Sequence, residues 1–140
     1  MIDGWPYVSD AVVDYYYTKK LAYHYIKRSQ EPVCFMFDEP VGNKIQLVGV
    51  NDLPEDKKVT YVIKKDQDVI LAGETILASD SAIKLDSIEL KNNEKEFYLI
   101  EWMMDGKTYM NHYFTNIIDV DYQKYMNALK QCQMDEFEGF

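Results

Sequence analysis

Between residues 33 and 118 the chain is built of short apolar runs separated at regular intervals by turn-forming residues. This spacing leaves little choice of fold. Val33-Cys34-Phe35-Met36-Phe37 is one run, and Ile45-Gln46-Leu47-Val48-Gly49-Val50 is the next, with Ile45, Leu47 and Gly49 on one face. Asn51-Asp52-Leu53-Pro54-Glu55-Asp56 has the composition of a turn. Val59–Ile63, Val69-Ile70-Leu71 and Thr75-Ile76-Leu77 follow. Ile83, Leu85, Ile88 and Leu90 mark a further strand whose period slips between Leu85 and Ile88, as a β-bulge would make it. The runs Phe97–Met103 and Tyr109–Phe114 flank Asp105-Gly106, and an Asp-Gly between two alternating runs is a strong hairpin signal. About seven short strands at this spacing predict an antiparallel sandwich or barrel.

The flanks read differently. In residues 1–32, Leu21 with Tyr25 and Ala22 with Ile26 sit four apart and predict a helix with one apolar face, with Lys19, Lys20, Lys27 and Arg28 mostly off it. Pro32 stops that helix at about Gln30. Residues 119–140 predict a second helix, capped by Asp119 or Asp121 and carrying the stripe Tyr122, Tyr125, Met126, Leu129 and Cys132. An acidic, aromatic tail, Asp135–Phe140, ends the chain.

With 140 residues the chain can bury one hydrophobic core, and 47% apolar with 28% charged residues is a globular composition. The net charge of −9 repels phosphate backbones and anionic membrane surfaces, so no nucleic acid and no membrane partner is expected. No apolar run approaches the roughly 20 residues that span a bilayer, and Met1 leads into Ile2-Asp3-Gly4 with no leader pattern. Cys34 and Cys132 fit neither metal nor redox spacing and are expected as separate buried thiols, a disulfide being the alternative.

The search for chemistry yields little. His24 and His112 are not at ligand spacing, so no metal site is expected; both read as structural or surface residues. There is no nucleophile motif and no phosphate-binding glycine loop, and no cofactor is expected. Glycosidases work with two carboxylates, but Glu55, Asp56, Asp66, Asp68, Glu94 and Glu96 all fall in predicted turns, where charges face water. Asn93-Glu94 has the form of an acid/base pair seen in retaining glycosidases, yet it lies in a polar turn, Lys91–Lys95.

The most unusual local sequence is the start. Asp3-Gly4-Trp5-Pro6, Asp14-Tyr15-Tyr16, Lys20-Leu21-Ala22-Tyr23, Lys27-Arg28 and Pro32-Val33 follow one another in an order that resembles the junction after the catalytic barrel in family 2 glycoside hydrolases of β-mannosidase type. Val50-Asn51-Asp52-Leu53 resembles the Val-Asn-Asp turn of the sandwich domain in that family. Lys19 stands where the family often has proline. The resemblance implies residues 1–32 as the last β/α unit of a (β/α)₈ barrel, 33–118 as an immunoglobulin-like β-sandwich and 119–140 as a C-terminal helix and tail. It further implies a parent that is a retaining exo-glycosidase exported to the periplasm or beyond, with both catalytic glutamates upstream of Met1. The chain itself would then be a non-catalytic accessory domain with no catalytic residue of its own. Its partners would be the barrel and N-terminal domains of the parent and, through them, carbohydrate. Trp5 would lie near the sugar pocket of the intact parent. Cut off from the barrel, the aromatic segment of residues 1–30 would fold back on the sandwich, pair in a homodimer or be mobile. The alternatives are an independent carbohydrate-binding sandwich or a protein-interaction domain of the same fold.

Overall fold

Short apolar runs, several of them alternating, form the seven strands found among the described residues of the computed structural model, which covers residue 2 and residues 11–66, 68–91, 95–115 and 121–133. The chain divides into two units, Met1–Glu31 with Tyr122–Phe140, and Pro32–Asp121.

The second unit holds β1 (Val33–Phe37), β2 (Lys44–Asn51), β3 (Lys57–Lys65), β4 (Asp68–Leu77), β5 (Ser81–Glu89), β6 (Phe97–Met104) and β7 (Lys107–Phe114). All pairings are antiparallel. One sheet has the order β1-β2-β5 and the other β4-β3-β6-β7, an immunoglobulin-like sandwich of three strands over four. The fourth strand pairs with β3, whereas in constant-type immunoglobulin domains it joins the first sheet. On β2 burial alternates without exception from Ile45 to Asn51. The inward rows meet in a core that includes Phe35, Leu47, Val59, Tyr61, Ile63, Leu77, Tyr98, Ile100 and Trp102. Trp102 is 2% exposed, as expected for the middle of a long strand beside a tight turn. Its ring stacks on Tyr109 at 5.8 Å and 12° and lies 5.6 Å from Phe35.

One expectation about the strands is amended and another is met. Val69–Leu71 and Thr75–Leu77 belong to one strand, β4, which runs straight through Ala72-Gly73-Glu74. Gly73 is a site of close approach: a Cβ there would stand 2.4 Å from the Tyr61 hydroxyl. The slip in β5 is a bulge. Pairing shifts between Gln46 and Val48, so that Leu85 and Asp86 together face Leu47.

The turns carry much of the order. Asp105 (φ 51°) and Gly106 (φ 75°) form the two-residue hairpin loop, whose left-handed positions match strand twist. Lys57 reaches the carboxylates of Glu55 at 2.7 Å and Asp105 at 3.0 Å, tying the loop to the β2–β3 turn. Asn51 is fully buried at the end of β2. Its amide nitrogen lies 2.9, 3.2 and 3.0 Å from the carbonyls of Glu55, Leu77 and Ala78, and its Oδ1 accepts from the Leu53 N–H at 3.1 Å. One side chain thus holds the β2–β3 turn to the end of β4.

In the first unit α1 spans Leu21–Ser29 and α2 spans Tyr122–Gln131. The α1 helix stops where Pro32 predicts, with Gln30 at the C-cap. Its buried face differs from the one expected: Ala22, Tyr25 and Ile26 are exposed, and the buried residue is His24. Counting apolar residue types misplaced the stripe, because the inward row is Leu21, His24 and Arg28, two of them polar. The Arg28 guanidinium donates to the Cys132 carbonyl through one of its terminal nitrogens, so a polar head is held at the end of a packed stem. On α2, Ala128 and Leu129 are buried, as is Cys132 just beyond it, while Tyr122 is exposed. Asp121 directly precedes α2; Asp119 and the Asp135–Phe140 tail lie outside the described residues.

Candidate functional site

The carboxylates singled out from the sequence separate into two groups. Glu55, Asp56, Asp66 and Asp68 are exposed, as turn residues should be. Asp56 accepts the Ser79 N–H at 2.9 Å, a structural use. Glu96 departs from the expectation and is 3% exposed. Its carboxylate takes the Lys65 ammonium on one oxygen and the Tyr98 hydroxyl on the other. Its backbone is pinned by Thr115, whose hydroxyl accepts the Glu96 N–H at 2.8 Å and whose N–H donates to the Glu96 carbonyl at 3.0 Å. The signal was present in the alternation: Glu96 shares a face with Tyr98, Ile100 and Trp102, the inward row of β6. A carboxylate held by an ammonium and a phenol in this way is a buried ion pair that fixes strand ends.

The two histidines are in different units. His24 is buried in α1. His112 sits on β7, with ring centroids of Phe97 and Phe114 at 6.1 and 5.4 Å. No group of three His, Cys, Asp or Glu that could hold a metal occurs among the described residues. Cys34 and Cys132 are buried thiols that form no disulfide. Trp5 and Asn93-Glu94 lie outside the described residues.

What the described residues do bring together is a turn of consecutive tyrosines in the first unit. Val13 and Lys19 form an antiparallel bridge. Between them the Asp14 N–H donates to Thr18 O at 3.0 Å, the Tyr17 N–H donates to Asp14 O at 3.1 Å, and Asp14 Oδ1 accepts the Thr18 N–H at 2.8 Å. The carboxylate of Asp14 therefore closes the turn through its own backbone, as Asp side chains commonly do. Tyr17 takes a left-handed conformation, φ 66°. Tyr16 and Tyr17 are 73% and 76% exposed, and Tyr15 meets Tyr16 edge to face at 5.4 Å. Sequence reasoning picked out Asp14-Tyr15-Tyr16 but gave no reason to expect Tyr17 at the strained position.

The sandwich contrasts with this. Its exposed large apolar side chains are aliphatic or Met: Met36, Val41, Val69, Ile70, Ile76 and Met103. Every aromatic residue described in the sandwich is buried or half-buried, and the exposed ones, Tyr15, Tyr16, Tyr17, Tyr25 and Tyr122, all belong to the first unit.

No family model matches the chain, and no curated protein does. Among solved structures it is similar to the β-D-mannosidase of Dictyoglomus thermophilum, with a TM-score of 0.62 and 26% sequence identity over 81% of this chain. The chain spans 15% of the length of that protein. It has the fold of a stretch of a glycosidase.

Proposed function

We propose that this chain is the C-terminal part of a retaining exo-glycosidase of the family 2 β-mannosidase type, serving its catalytic barrel as a brace without supplying either catalytic carboxylate. In this reading residues 1–32 are the last β/α unit of the barrel, 33–118 the sandwich that follows it in sequence and 119–140 a closing helix and tail. The observation that carries the proposal is the distribution of aromatic side chains. A free-standing carbohydrate-binding sandwich needs an aromatic row or cleft on a sheet face or loop end. The aromatics described in this sandwich are buried or half-buried, and those left in water are Tyr15, Tyr16, Tyr17 and Tyr25 of residues 1–32, assigned to the barrel, and Tyr122 of the closing helix. Burying side chains of that size is worth about 1.5–3 kcal/mol each, which favours a covering partner. The similarity to a β-mannosidase of which this chain spans 15% supports the same reading.

Retaining glycosidases set two carboxyl groups about 5–5.5 Å apart. Glu96, the buried acid of the sandwich, is already engaged by Lys65 and Tyr98 and has no such role here. The purified protein is therefore expected to hydrolyse aryl β-mannosides, β-galactosides and β-glucosaminides at background rate only. Turnover that a single Asp or Glu substitution in this chain abolishes would overturn the proposal.

A further inference from the structure

We infer that two copies of this chain associate through β4, whose free edge pairs antiparallel with the same edge of a second copy and joins two four-stranded sheets into one. β4 lies at the edge of its sheet, with β3 on one side only. An edge strand presents a row of backbone N–H and C=O groups that a further strand can take up, and proteins usually blunt it with lysine, proline, a bulge or short length. The other edges of the sandwich carry such devices. β1 has five residues and runs into Asp38-Glu39-Pro40, β5 carries Lys84 and the register shift, and β7 opens on Lys107. β4 is ten residues long and contains no Lys, Arg or Pro. Its bulge lies near its start, where Ile63 pairs with Leu71 and Lys64 with Val69, so that Leu71–Leu77 pair regularly.

The side chains identify the occupant as a second copy. Three large aliphatic side chains of β4 stand in water: Val69 and Ile70 before Gly73, 59% and 42% exposed, and Ile76 after it, 64% exposed. Opposite residues of an antiparallel pair share a face, so a two-fold axis between two β4 strands must fall on a residue. An axis at Gly73 sets Ile76 of each copy beside Ile70 and Val69 of the other, and both apolar ends are covered at once. The same axis puts Glu74 opposite Ala72, while Lys58 holds the Glu74 carboxylate at 3.0 Å. The neighbouring registers are worse. An axis at Glu74 opposes two like carboxylates, and an axis at Ala72 sets Ile76 against Asp68 and Ile70 against Glu74. A foreign strand would need none of this symmetry. The pairing uses none of the exposed tyrosines and does not rest on the glycosidase reading.

The test is sedimentation equilibrium of the whole protein from about 1 μM to about 1 mM, the range in which small interfaces associate. A monomer–dimer equilibrium is expected, with the amides of Leu71–Thr75 exchanging more slowly at the upper end and those of β5 keeping their rates. Ile76→Lys alters an exposed side chain, so circular dichroism should show the fold intact. The substitution occurs twice in the dimer and is expected to loosen it by about 10-fold or more. Ala72→Lys places an ammonium opposite Glu74 of the second copy and is expected to keep the dimer or tighten it. A monomer throughout this range overturns the pairing, as does a dimer that Ile76→Lys leaves untouched or that Ala72→Lys breaks. Growth beyond two copies overturns it as well, because each copy has one β4 edge to give.

Discussion

The hydroxyl of Tyr61 on β3 donates a 2.6 Å hydrogen bond to Oδ2 of Asp86 on β5, in the opposite sheet. Two local features make this possible. Gly73, paired with Tyr61 across β3 and β4, has no side chain to block the ring. The bulge at Leu85-Asp86 turns toward the core a residue that regular pairing would aim at solvent. The bond pins the sheets together beside β4 and β5, one edge strand of each sheet.

Gly73→Ala is expected to destabilise the protein by about 1–3 kcal/mol, because the new methyl and the Tyr61 ring claim the same space. The same substitution in a Tyr61→Ala background is expected to cost far less. A double-mutant cycle from urea unfolding measures the difference; additive effects would show that the two residues do not compete.

Burial, reinforced by the bond to Asp86 and its charge, pushes the Tyr61 phenol up to about 12 from its ordinary 10.0. An unfolded tyrosine titrates near 10, so the native state holds this proton more tightly than the unfolded state. The resulting stabilisation is complete below pH about 10 and is lost as the pH rises through about 12. Tyr61→Phe is expected to be less stable at neutral pH and to lose less stability across that window. Parallel pH profiles for the two proteins would disprove the linkage.

Asn51→Leu keeps the volume of the side chain and removes its hydrogen bonds, leaving buried carbonyls and the Leu53 N–H without it. A loss of about 3 kcal/mol or more is expected in chemical denaturation. Asn51→Asp is expected to fail at neutral pH and to recover in part near pH about 4, since a carboxylate cannot donate to the Glu55, Leu77 and Ala78 carbonyls but a carboxyl group can. An Asp variant as stable as the parent at neutral pH would contradict this account.

Trp102→Ala should cost about 3–5 kcal/mol, the usual range for a core aromatic. The indole touches Phe35 on one sheet and Tyr109 on its own, so its loss opens a gap that neither neighbour can close alone. A loss under about 1 kcal/mol would mean the core collapses around the missing ring.

The strands were legible because alternation is a local property, and so were the Asp105-Gly106 loop and the end of α1, which single residues dictate. What escaped depended on partners distant in sequence. Gly73 reads as a break in a strand until the Tyr61 ring is laid across it. Glu96 reads as a surface acid until Lys65 and Tyr98 meet it. His24 and Arg28 count as polar in a helical wheel, although they form its inward row. The tyrosine turn was half visible: its composition stood out, while the left-handed backbone at Tyr17 is set by the Asp14 hydrogen bonds rather than by any preference of tyrosine.

The strand order has a kinetic consequence. β3 pairs with β6 across two intervening strands, one of which, β5, belongs to the other sheet. Neither local zipping nor hairpin growth can make that junction, and topologies of this kind fold in about milliseconds to seconds. The Asn51 clasp needs only β2 through β4 and the residue after it, so that part can assemble first. The β6–β7 hairpin, nucleated by its own tight loop, then docks on β3 and carries Trp102 onto Phe35 and beside Tyr61. In a Trp5→Phe background, which leaves one of the two tryptophans, stopped-flow fluorescence of Trp102 is expected to report this docking, later than amide protection in β2 and β3.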